Sequence, residues 1–559
     1  MTPRIEAATL KAWLSDGREL ALLDLREPGQ YGAGHPFFAV PLPYSRFELR
    51  LRLLVPNRRA RLVLYDDGPG DGPGDGPGDG PGDGPGDGPG SGESASIAAR
   101  GAERAAELGY ENVHILDGGA PAWGRAGYTL YEGVNLPSKA FGELVELARH
   151  TPRITARELN DLQAAGADLV LLDGRPFEEF HKVNVPGGLC CPNGELALRA
   201  AALAPDPKTR IVVSCAGRTR SIIGAQTLID FGVPNPIQAL ENGTQGWFLA
   251  GLELERGATR RYAEGIDGAG LDDMRTRARK LAESRGAGFA TPEDVTAWLG
   301  EPDRTTYLFD VRTAEEFERD GVAAAVHAPG GQLVQATDHW VALRGARLVL
   351  LDGEAVRAPV TASWLRQLGH EAHVLEGGVA AARGLPAPAS APAPAPAPAP
   401  AMPALDRLAP DALAALAPDR APRLLDLRPS MTYREGHIAE ADWSIRPRLA
   451  AMPDDRRPVV LIAEEDGVAA LAARDLRDAG AAEVRRLTGG PDDWTAAGLE
   501  VVATPDSPSD ADCIDHLFFT QGRNQGDAEA ARQYLAWEIA LVDRLDDQER
   551  DTFRIAAAP

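Results

Sequence analysis

The stretch RIVVSCAGRTRSIIGAQTLIDFG, residues 210–232, decides the fold of this chain. Apolar and small residues lead into Cys215, a short loop with Arg218 and Arg220 follows, and the remainder has the residue spacing of a helix. In open parallel sheets the chemistry collects beyond the carboxyl ends of the strands. The stretch therefore predicts a strand–loop–helix unit of an α/β domain, with Cys215 at the reactive edge of the sheet.

The same unit occurs four times along the chain. Each copy opens with a short apolar strand that ends in Asp-x-Arg, and the four phrases are LALLDLREPGQY, LVLLDGRPFEEF, TYLFDVRTAEEF and PRLLDLRPSMTY. A second strand, a helix and a third strand with a turn follow in every copy. Strands that alternate with helices at this spacing indicate parallel sheets. We therefore expect four tandem doubly wound α/β domains with parallel central sheets, plus a C-terminal helical segment.

The repeats also predict where the domains lie. The expected ranges are 1–132, 150–257, 286–386 and 404–504 for domains 1 to 4, 387–403 for an Ala/Pro linker, and 505–559 for a helical tail. The tail has apolar residues at helical spacing, which predicts an amphipathic helix that covers a domain or a partner. These residues are Tyr534, Trp537, Ile539 and Leu541.

A DGPG tract at about 67–92 interrupts domain 1. The segment from the end of the second strand to the last aromatic position covers 66–123 in domain 1 and only 215–247 in domain 2. The excess has the length of the tract. We interpret the tract as an insertion in one loop of domain 1, and its role stays open.

Composition excludes several classes of function. The 559 residues carry a formal net charge of -24, which argues against nucleic acid or an anionic membrane as a partner. No apolar run approaches the roughly 18 residues of a membrane span. The N-terminus lacks the pattern of a signal peptide, and four cysteines are too few for a disulfide framework. We expect a cytoplasmic protein. Metal-ligand spacings and nucleotide-binding loops are missing from the sequence, so we expect neither a metal nor another cofactor.

Only one of the four copies has a thiol at the end of its second strand. The residues at this position are Asp66, Cys215, Asp352 and Ala463. Small loop residues, the N-terminus of the following helix and two arginines all favour a thiolate, so we expect a lowered pKa for the Cys215 thiol. The alternative is a buried, inert cysteine.

The loop after Cys215, the Asp-x-Arg strand and the Asn-Gly-x-x-Gly-Trp turn at 242–247 resemble the rhodanese (sulfurtransferase) superfamily, in particular bacterial proteins with tandem rhodanese domains. The resemblance extends over about residues 5–500. It implies that Cys215 takes sulfane sulfur from a small anionic donor such as thiosulfate and carries it as a persulfide. The acceptor is a thiol, cyanide or a sulfur-accepting protein. The implied active-site and anion-binding loop consists of Ala216, Gly217, Arg218, Thr219, Arg220 and Ser221.

Two other functions stay open beside sulfur transfer. Related phosphatases and arsenate reductases have a longer loop, whose arginine comes six residues after the cysteine, where this chain has Ser221. The short loop ending at Arg220 favours sulfur transfer. The second alternative is a sulfane-sulfur carrier or binding scaffold, since three of the four copies lack the cysteine. The physiological donor and acceptor and the oligomeric state are open as well.

Further residues of domain 2 are candidates for supporting roles. The resemblance implies that Glu195 and Arg199 lie near the loop, where Arg199 binds the donor or is an ordinary surface residue. Asp173 and Arg175 recur in all four copies and the aromatic Trp247 in three, so we interpret these three residues as structural support.

Two neighbouring cysteines of domain 2 also stay open in role. Cys190 and Cys191 relay sulfur, form a vicinal disulfide, or simply pack in the core. The resemblance further implies that domain 1 pairs with domain 2 and domain 3 with domain 4, as in two-domain rhodaneses.

Overall fold

The computed structural model describes residues 2–68, 96–263, 265, 268, 270–386, 405–417, 421–450, 457–524 and 526–556. Nearly all of the expected DGPG insertion at 67–92 and the whole expected Ala/Pro linker at 387–403 lie outside these residues. Within them the chain forms four α/β domains with parallel central sheets, followed by helices.

Domain 1 has parallel strands in the order β1-β5-β4-β2-β3. Its strands are β1 (Arg4–Ile5), β2 (Leu20–Asp24), β3 (Val40–Pro41), β4 (Arg61–Tyr65) and β5 (Val113–Leu116). Its helices are α1 (Ala7–Trp13), α2 (Pro28–Ala33), α3 (Phe47–Leu54), α4 (Ile97–Glu107) and α5 (Gly119–Arg125). A further helix, α6 (Leu136–Arg149), lies between the first two repeats.

Domain 2 repeats this pattern in a five-stranded parallel sheet of order β6-β10-β9-β7-β8. Its strands are β6 (Arg153–Ile154), β7 (Leu169–Asp173), β8 (Leu189–Cys190), β9 (Arg210–Ser214) and β10 (Ile237–Leu240). Its helices are α7 (Ala156–Ala164), α8 (Phe177–Lys182), α9 (Leu196–Leu203), α10 (Thr219–Phe231) and α11 (Gly243–Leu249). Helix α12 (Leu271–Ser284) follows the domain.

Domain 3 has the order β11-β16-β15-β12-β13, again parallel. Its strands are β11 (Gly288–Ala290), β12 (Thr306–Asp310), β13 (Val326–His327), β14 (Leu343–Arg344), β15 (Arg347–Leu351) and β16 (Glu371–Leu375). Its helices are α13 (Pro292–Leu299), α14 (Ala314–Asp320), α15 (Gly330–Gln335), α16 (Arg357–Gln367) and α17 (Gly378–Ala382).

Domain 4 closes the series with the parallel order β17-β22-β21-β18-β20 and an antiparallel pair, β19 with β23. Its strands are β17 (Asp406–Leu408), β18 (Arg423–Asp426), β19 (His437–Ile438), β20 (Ala441–Trp443), β21 (Val459–Ile462), β22 (Val484–Leu487) and β23 (Val501–Val502). Its helices are α18 (Pro410–Ala414), α19 (Ser430–Glu435), α20 (Arg446–Leu449), α21 (Asp466–Asp478) and α22 (Pro491–Ala496). The tail contains α23 (Ala528–Arg544) and α24 (Asp547–Arg550).

The burial of β9 explains why the loop after Cys215 lies at the carboxyl end of the sheet of domain 2. Strand β9 is the middle strand of its sheet, and Ile211–Ser214 are all buried, as expected for a strand covered by helices on both faces. Its last residue, Ser214, pairs with Asp173 at the end of β7. The ends of β7 and β9 therefore bring the Asp-x-Arg motif next to Cys215.

The Asp-x-Arg motif forms the same buried ion pair in every domain. In domain 2, Arg175 donates to Asp173 from Nε at 2.8 Å and from a terminal nitrogen at 2.7 Å, and it also donates to the Val183 carbonyl at 2.7 Å. The corresponding pairs in the other domains are Arg26–Asp24, Arg312–Asp310 and Arg428–Asp426. This recurrence, with or without a cysteine nearby, indicates a structural pair.

The four domains fall into two compact units, and the pairing expected from their order along the chain is wrong. One unit comprises Met1–Leu14, Leu20–Gly133 and Pro394–Phe519, and the other comprises Ser15–Glu19, Val134–Ala393 and Thr520–Pro559. Domain 1 thus belongs with domain 4, and domain 2 belongs with domain 3 and the helix α23.

Buried ion pairs join the domains within each unit. In the first unit, Arg446 of domain 4 is fully buried and donates to Glu48 of domain 1 at 2.5 and 2.8 Å, and also to Asp475 of its own domain. In the second unit, Arg357 of domain 3 is fully buried and donates to Glu195 of domain 2 at 2.9 Å, and also to Glu316 of its own domain. Each contact between paired domains therefore contains a buried arginine with carboxylates from both domains.

The tail contains the expected amphipathic helix, α23, which packs against α6 and α11 of the second unit. One expected apolar contact is wrong, because Ile539 is 51% exposed. Glu538 is instead buried in the same stripe as Tyr534 and Leu541. Among the described residues no helix is both long and apolar enough to span a membrane.

Candidate active site

Cys215 lies at the end of β9 in a loop that the start of α11 holds in place. Its side chain is 1% exposed. The carbonyl of Cys215 accepts a hydrogen bond from the Thr244 N–H at 2.8 Å, and the carbonyl of Ala216 accepts one from the Gln245 N–H at 3.1 Å. Gly243 makes this contact possible, because its φ is +54° and a Cβ there would lie 2.1 Å from the Cys215 carbonyl oxygen.

The loop leads directly into α10, which begins at Thr219 and continues through the expected loop residue Ser221. Ser221 is buried, and its hydroxyl donates to the Arg218 carbonyl at 2.9 Å. Asn193 donates to the Arg220 carbonyl at 2.9 Å and so ties the loop to the segment before α9. The loop is therefore a fixed cradle and not an open turn.

The expected low pKa of the Cys215 thiol is wrong. Burial raises the pKa of Cys215 above its ordinary value, and the nearby Glu538 carboxylate raises it further. Arg220 and hydrogen bonds from Ser221 lower the pKa but do not outweigh burial. Burial therefore favours the protonated thiol of Cys215 over the thiolate.

The two loop arginines have different surroundings. Arg220 donates to both oxygens of Glu179 on α8 at 2.8 Å, and its charge still acts on Cys215. Arg218 is buried and donates to Glu143 at 2.7 and 2.8 Å and also to Glu146. Arg218 therefore clamps the loop to α6, and its charge is neutralised by two carboxylates.

The helix α6 itself was missed by the sequence analysis as part of the site. It lies between the repeats, and its Gly142 approaches α10 so closely that a Cβ there would lie 2.8 Å from the Thr219 Cγ2 atom. Lys139 of α6 is buried beside the loop. Helical spacing in the segment 136–149 would have predicted a helix, but not that it covers the active loop.

The helix α23 supplies a second set of missed residues. Glu538 is 1% exposed, and its Oε1 atom accepts a hydrogen bond from Thr219 Oγ1 at 2.6 Å. Tyr534 is also buried and accepts a hydrogen bond from the Lys139 ammonium. The sequence does contain one indication that Glu538 is buried, because it lies in the apolar stripe of the helix, four residues after Tyr534.

Gly217 explains how α23 comes so close to the loop. A Cβ on Gly217 would lie 3.2 Å from both Glu538 Oε2 and Tyr534 Cε1. The missing side chain at this position leaves the space that the tail helix occupies.

The candidates Glu195 and Arg199 have contacts elsewhere. Arg199 donates to Glu195 at 3.2 Å and to the carbonyls of Ala263 and Gly265, and it stacks on Tyr262. Glu195 also accepts the hydrogen bond from Arg357 that joins domains 2 and 3. The structure thus places Glu195 in the contact with domain 3 and Arg199 against the segment that follows domain 2, and none of these contacts involves the loop after Cys215.

Trp247 and the two neighbouring cysteines are core residues. Trp247 is 2% exposed and donates to the Glu253 carbonyl at 2.9 Å. Cys190 and Cys191 are buried free thiols. Burial raises the pKa of Cys190 to about 12 and that of Cys191 well above its ordinary value, so neither is an activated nucleophile.

The corresponding loop of domain 3 holds a negative charge of its own. Asp352 follows β15 as Cys215 follows β9, and its carboxylate accepts hydrogen bonds from four consecutive backbone N–H groups. These donors belong to Ala355, Val356, Arg357 and Ala358, at 2.9, 2.9, 2.7 and 3.2 Å. The loop that follows this strand is therefore built to bind an anion.

Domain 1 also has a carboxylate at this position that accepts backbone hydrogen bonds, and domain 4 does not. Asp66 accepts hydrogen bonds from the backbone N–H groups of Gly68 at 2.8 Å and Ala98 at 2.9 Å. Ala463 of domain 4 has neither a charge nor a thiol. Only domain 2 offers a nucleophile at this position.

A groove is lined by Thr244 and Gln245, the two residues whose N–H groups hold the loop after Cys215. Gln245 lines it, together with Phe248 and two cations, Arg256 and Arg523. Both amide atoms of the Gln245 side chain are buried without a hydrogen-bond partner among the described residues. The groove therefore contains two cations, the carboxylate of Glu253, and the unpartnered amide of Gln245. Within the described residues no cluster of three His, Cys, Asp or Glu side chains is arranged to hold a metal ion.

Comparison with known proteins agrees with this geometry. The family model described as a rhodanese-like domain matches residues 155–250, 291–383 and 409–497. The crystal structure of a thiosulfate sulfurtransferase from Pseudomonas aeruginosa is 39% identical, has a TM-score of 0.85, and is matched over 99% of both chains. The HTH-type transcriptional regulator Rv0324 of Mycobacterium tuberculosis is 34% identical over 105 residues, which is 19% of this chain and 45% of that protein, so the chain matches less than half of that relative. Domain 1 shares the strand order of the three matched domains. The chain belongs to the rhodanese superfamily and consists of four tandem rhodanese-like domains.

Proposed function

We propose that this protein is a sulfurtransferase that moves sulfane sulfur through a persulfide on Cys215. The observation that carries the proposal is the anion-binding loop of domain 3, where the Asp352 carboxylate accepts four backbone hydrogen bonds. Cys215 holds the same position in domain 2. A persulfide there would place its negative sulfur where the family fold binds an anion.

The chemistry balances without a cofactor. The Cys215 thiolate attacks the outer sulfur of thiosulfate, the bond between the two donor sulfurs breaks, and sulfite leaves with the electron pair. Cyanide or a thiolate then attacks the outer sulfur of the persulfide, and Cys215 leaves as a thiolate. Arg256 and Arg523 in the adjacent groove provide positive charge for an anionic donor.

The likeness to the Pseudomonas aeruginosa thiosulfate sulfurtransferase supports thiosulfate as the first donor to test. The experiment is intact-mass measurement after incubation with thiosulfate and again after cyanide, beside Cys215→Ala. We expect the wild type to gain the mass of one sulfur atom and lose it to cyanide, and the variant to gain nothing. The absence of an adduct with thiosulfate and with a panel of persulfide donors would contradict the proposal.

A second candidate is a sulfane-sulfur carrier that delivers its sulfur to another protein. The observation that favours it is the filling of two other loops by Asp66 and Asp352, which leaves one sulfur site in a chain of four domains. A carrier would form the same adduct but release sulfur slowly to cyanide and quickly to a protein thiol. Comparing these two release rates separates the candidates.

A further inference from the structure

A carboxylate from outside the four repeats lies against the active loop with one oxygen unused. Glu538 Oε1 is held by Thr219 at 2.6 Å and lies 3.5 Å from the Lys139 ammonium. Glu538 Oε2 is buried and has no hydrogen-bond partner among the described residues. A buried carboxylate oxygen without a hydrogen bond costs free energy, so its presence calls for an explanation.

The free oxygen is directed toward the loop that carries the nucleophile. It lies 3.2 Å from where a Cβ on Gly217 would be, and Gly217 follows Cys215 by two residues. The loop has no side chain at this point to keep the carboxylate away. Glu538 thus places an unpartnered carboxylate oxygen against the loop two residues after Cys215, and its charge acts on the Cys215 thiol.

Such a base would assist the reaction, because burial disfavours the thiolate of Cys215. Burial raises the pKa of Cys215, and only the thiolate attacks sulfur. Arginine side chains do not accept protons. The neighbouring carboxylates Glu143 and Glu179 are each occupied by a bidentate arginine.

We propose that Glu538 accepts the proton of the Cys215 thiol, directly or through one water molecule, as the sulfur attacks the donor. The S–H bond breaks and its electron pair forms the new bond to the outer donor sulfur. The donor S–S bond breaks, and the leaving group takes that electron pair. The proton then resides on Glu538 and returns to Cys215 after the acceptor has removed the outer sulfur. This inference rests on the proposed persulfide function.

Several charged or titratable groups surround Glu538 and can affect how the rate of sulfur uptake depends on pH. They are Lys139 and Glu143 from α6, the thiol of Cys215 and the side chain of Arg218 from the loop after β9, Tyr534 from α23 itself, and Arg523, which lies over the Tyr534 ring. Lys139 is the group that provides a positive charge closest to the carboxylate, at 3.5 Å.

The test is Glu538→Gln, which keeps the size of the side chain and removes the base. We expect the rate of sulfur uptake from thiosulfate at pH 7, measured as single-turnover sulfite release, to fall about 100-fold. The loss should shrink as the pH rises and the thiol ionises without help.

A second readout excludes a purely electrostatic or structural role. If the Glu538 charge only raises the pKa of Cys215, its removal should make alkylation of Cys215 by iodoacetamide at pH 7 faster. A proton acceptor instead predicts that Glu538→Gln slows both sulfur uptake and alkylation at pH 7, and that both losses shrink as the pH rises. Sulfur uptake as fast as in the wild type, or a loss that stays the same at high pH, would overturn the proposal.

Two further variants complete the design. Glu538→Asp keeps a carboxylate and should take up sulfur faster than Glu538→Gln, and equal rates would contradict the proposal. Glu529→Gln on the same helix removes a charge that is 68% exposed and should match the wild type. If the wild type itself takes up no sulfur, the proposed function fails. If the wild type does and Glu538→Gln does so equally fast, only this inference fails.

Discussion

The carboxylate of Asp352 accepts a hydrogen bond of 2.7 Å from the backbone N–H of Arg357, at the start of α16. Asp352, the first residue of this loop, thus provides the negative charge toward which the backbone N–H groups of the loop point. Three further backbone donors converge on the same side chain. Domains 1 and 3 therefore hold a carboxylate of the protein at the position that Cys215 occupies in domain 2, and domain 4 holds the uncharged Ala463 there.

Replacing Asp352 by Asn should loosen this loop without affecting Cys215. One carboxylate oxygen becomes an NH2 group that faces backbone donors, and leaving such donors unpaired costs about 1–3 kcal/mol. Hydrogen exchange at the amides of 355–358 should accelerate, while sulfur uptake stays at the wild-type level. Unchanged exchange would mean that the carboxylate does not hold the loop.

Arg218 and Arg220 should differ when each is replaced by Ala. Arg218→Ala leaves Glu143 buried without its partner, a change that typically costs about 3–5 kcal/mol, so thermal stability should fall clearly. Arg220→Ala removes a charge that lowers the pKa of Cys215, so alkylation at pH 7 should become slower. Denaturation and alkylation rates measured on both variants check this separation. A large rise in KM for thiosulfate with unchanged stability in Arg218→Ala would show instead that Arg218 binds the donor.

Gly243→Ala should inactivate the site by moving its backbone. The added Cβ would lie 2.1 Å from the Cys215 carbonyl oxygen, so the loop and α11 must separate. We expect persulfide formation to fall at least about tenfold, since small misplacements of a nucleophile are costly. Gly251→Ala is the matched control, because Gly251 also has a positive φ, of +79°, but no atom within 4 Å of the added methyl group. Equal activity of the two variants would contradict the assigned role of this contact.

Alkaline pH should destabilise the protein through its buried thiols. The pKa of Cys190 is about 12 in the folded chain because of burial, against about 8.5 for an unfolded cysteine. The unfolded chain therefore releases this proton first, so the stabilisation is fully present below pH about 8.5 and is lost progressively toward pH 12. Denaturant midpoints measured from pH 8 to 10.5 should fall with a smaller slope in Cys190→Ala. An unchanged slope would indicate that Cys190 ionises equally in both states.

The fold and the position of Cys215 could be predicted from the repeats, because strand patterns and motif spacing are local properties of the sequence. The residues that surround Cys215 could not be predicted in this way. Arg218 appeared to be a free cation because its carboxylate partners lie on α6, outside every repeat. The sign of the pKa shift depended on burial under α6 and α23, which no local pattern reports.

Domain pairing failed as a prediction for a related reason. The order of copies along the chain suggested that neighbours pair, whereas domain 1 groups with domain 4, and the buried pair Arg446–Glu48 joins them. These two residues are 398 positions apart. Complementary charges at that separation leave no trace in one sequence, since each residue alone is an ordinary member of an amphipathic helix.

The contact between Thr219 and Glu538 joins positions that are 319 residues apart. At ordinary rates of synthesis, about 5–20 residues per second, tens of seconds pass between the two. Until Glu538 has been made, a nascent chain can present a folded domain 2 whose cysteine still lacks its tail helix. The contact that holds Glu538 against the loop after Cys215 is therefore formed late, only after the helix α23 has been made.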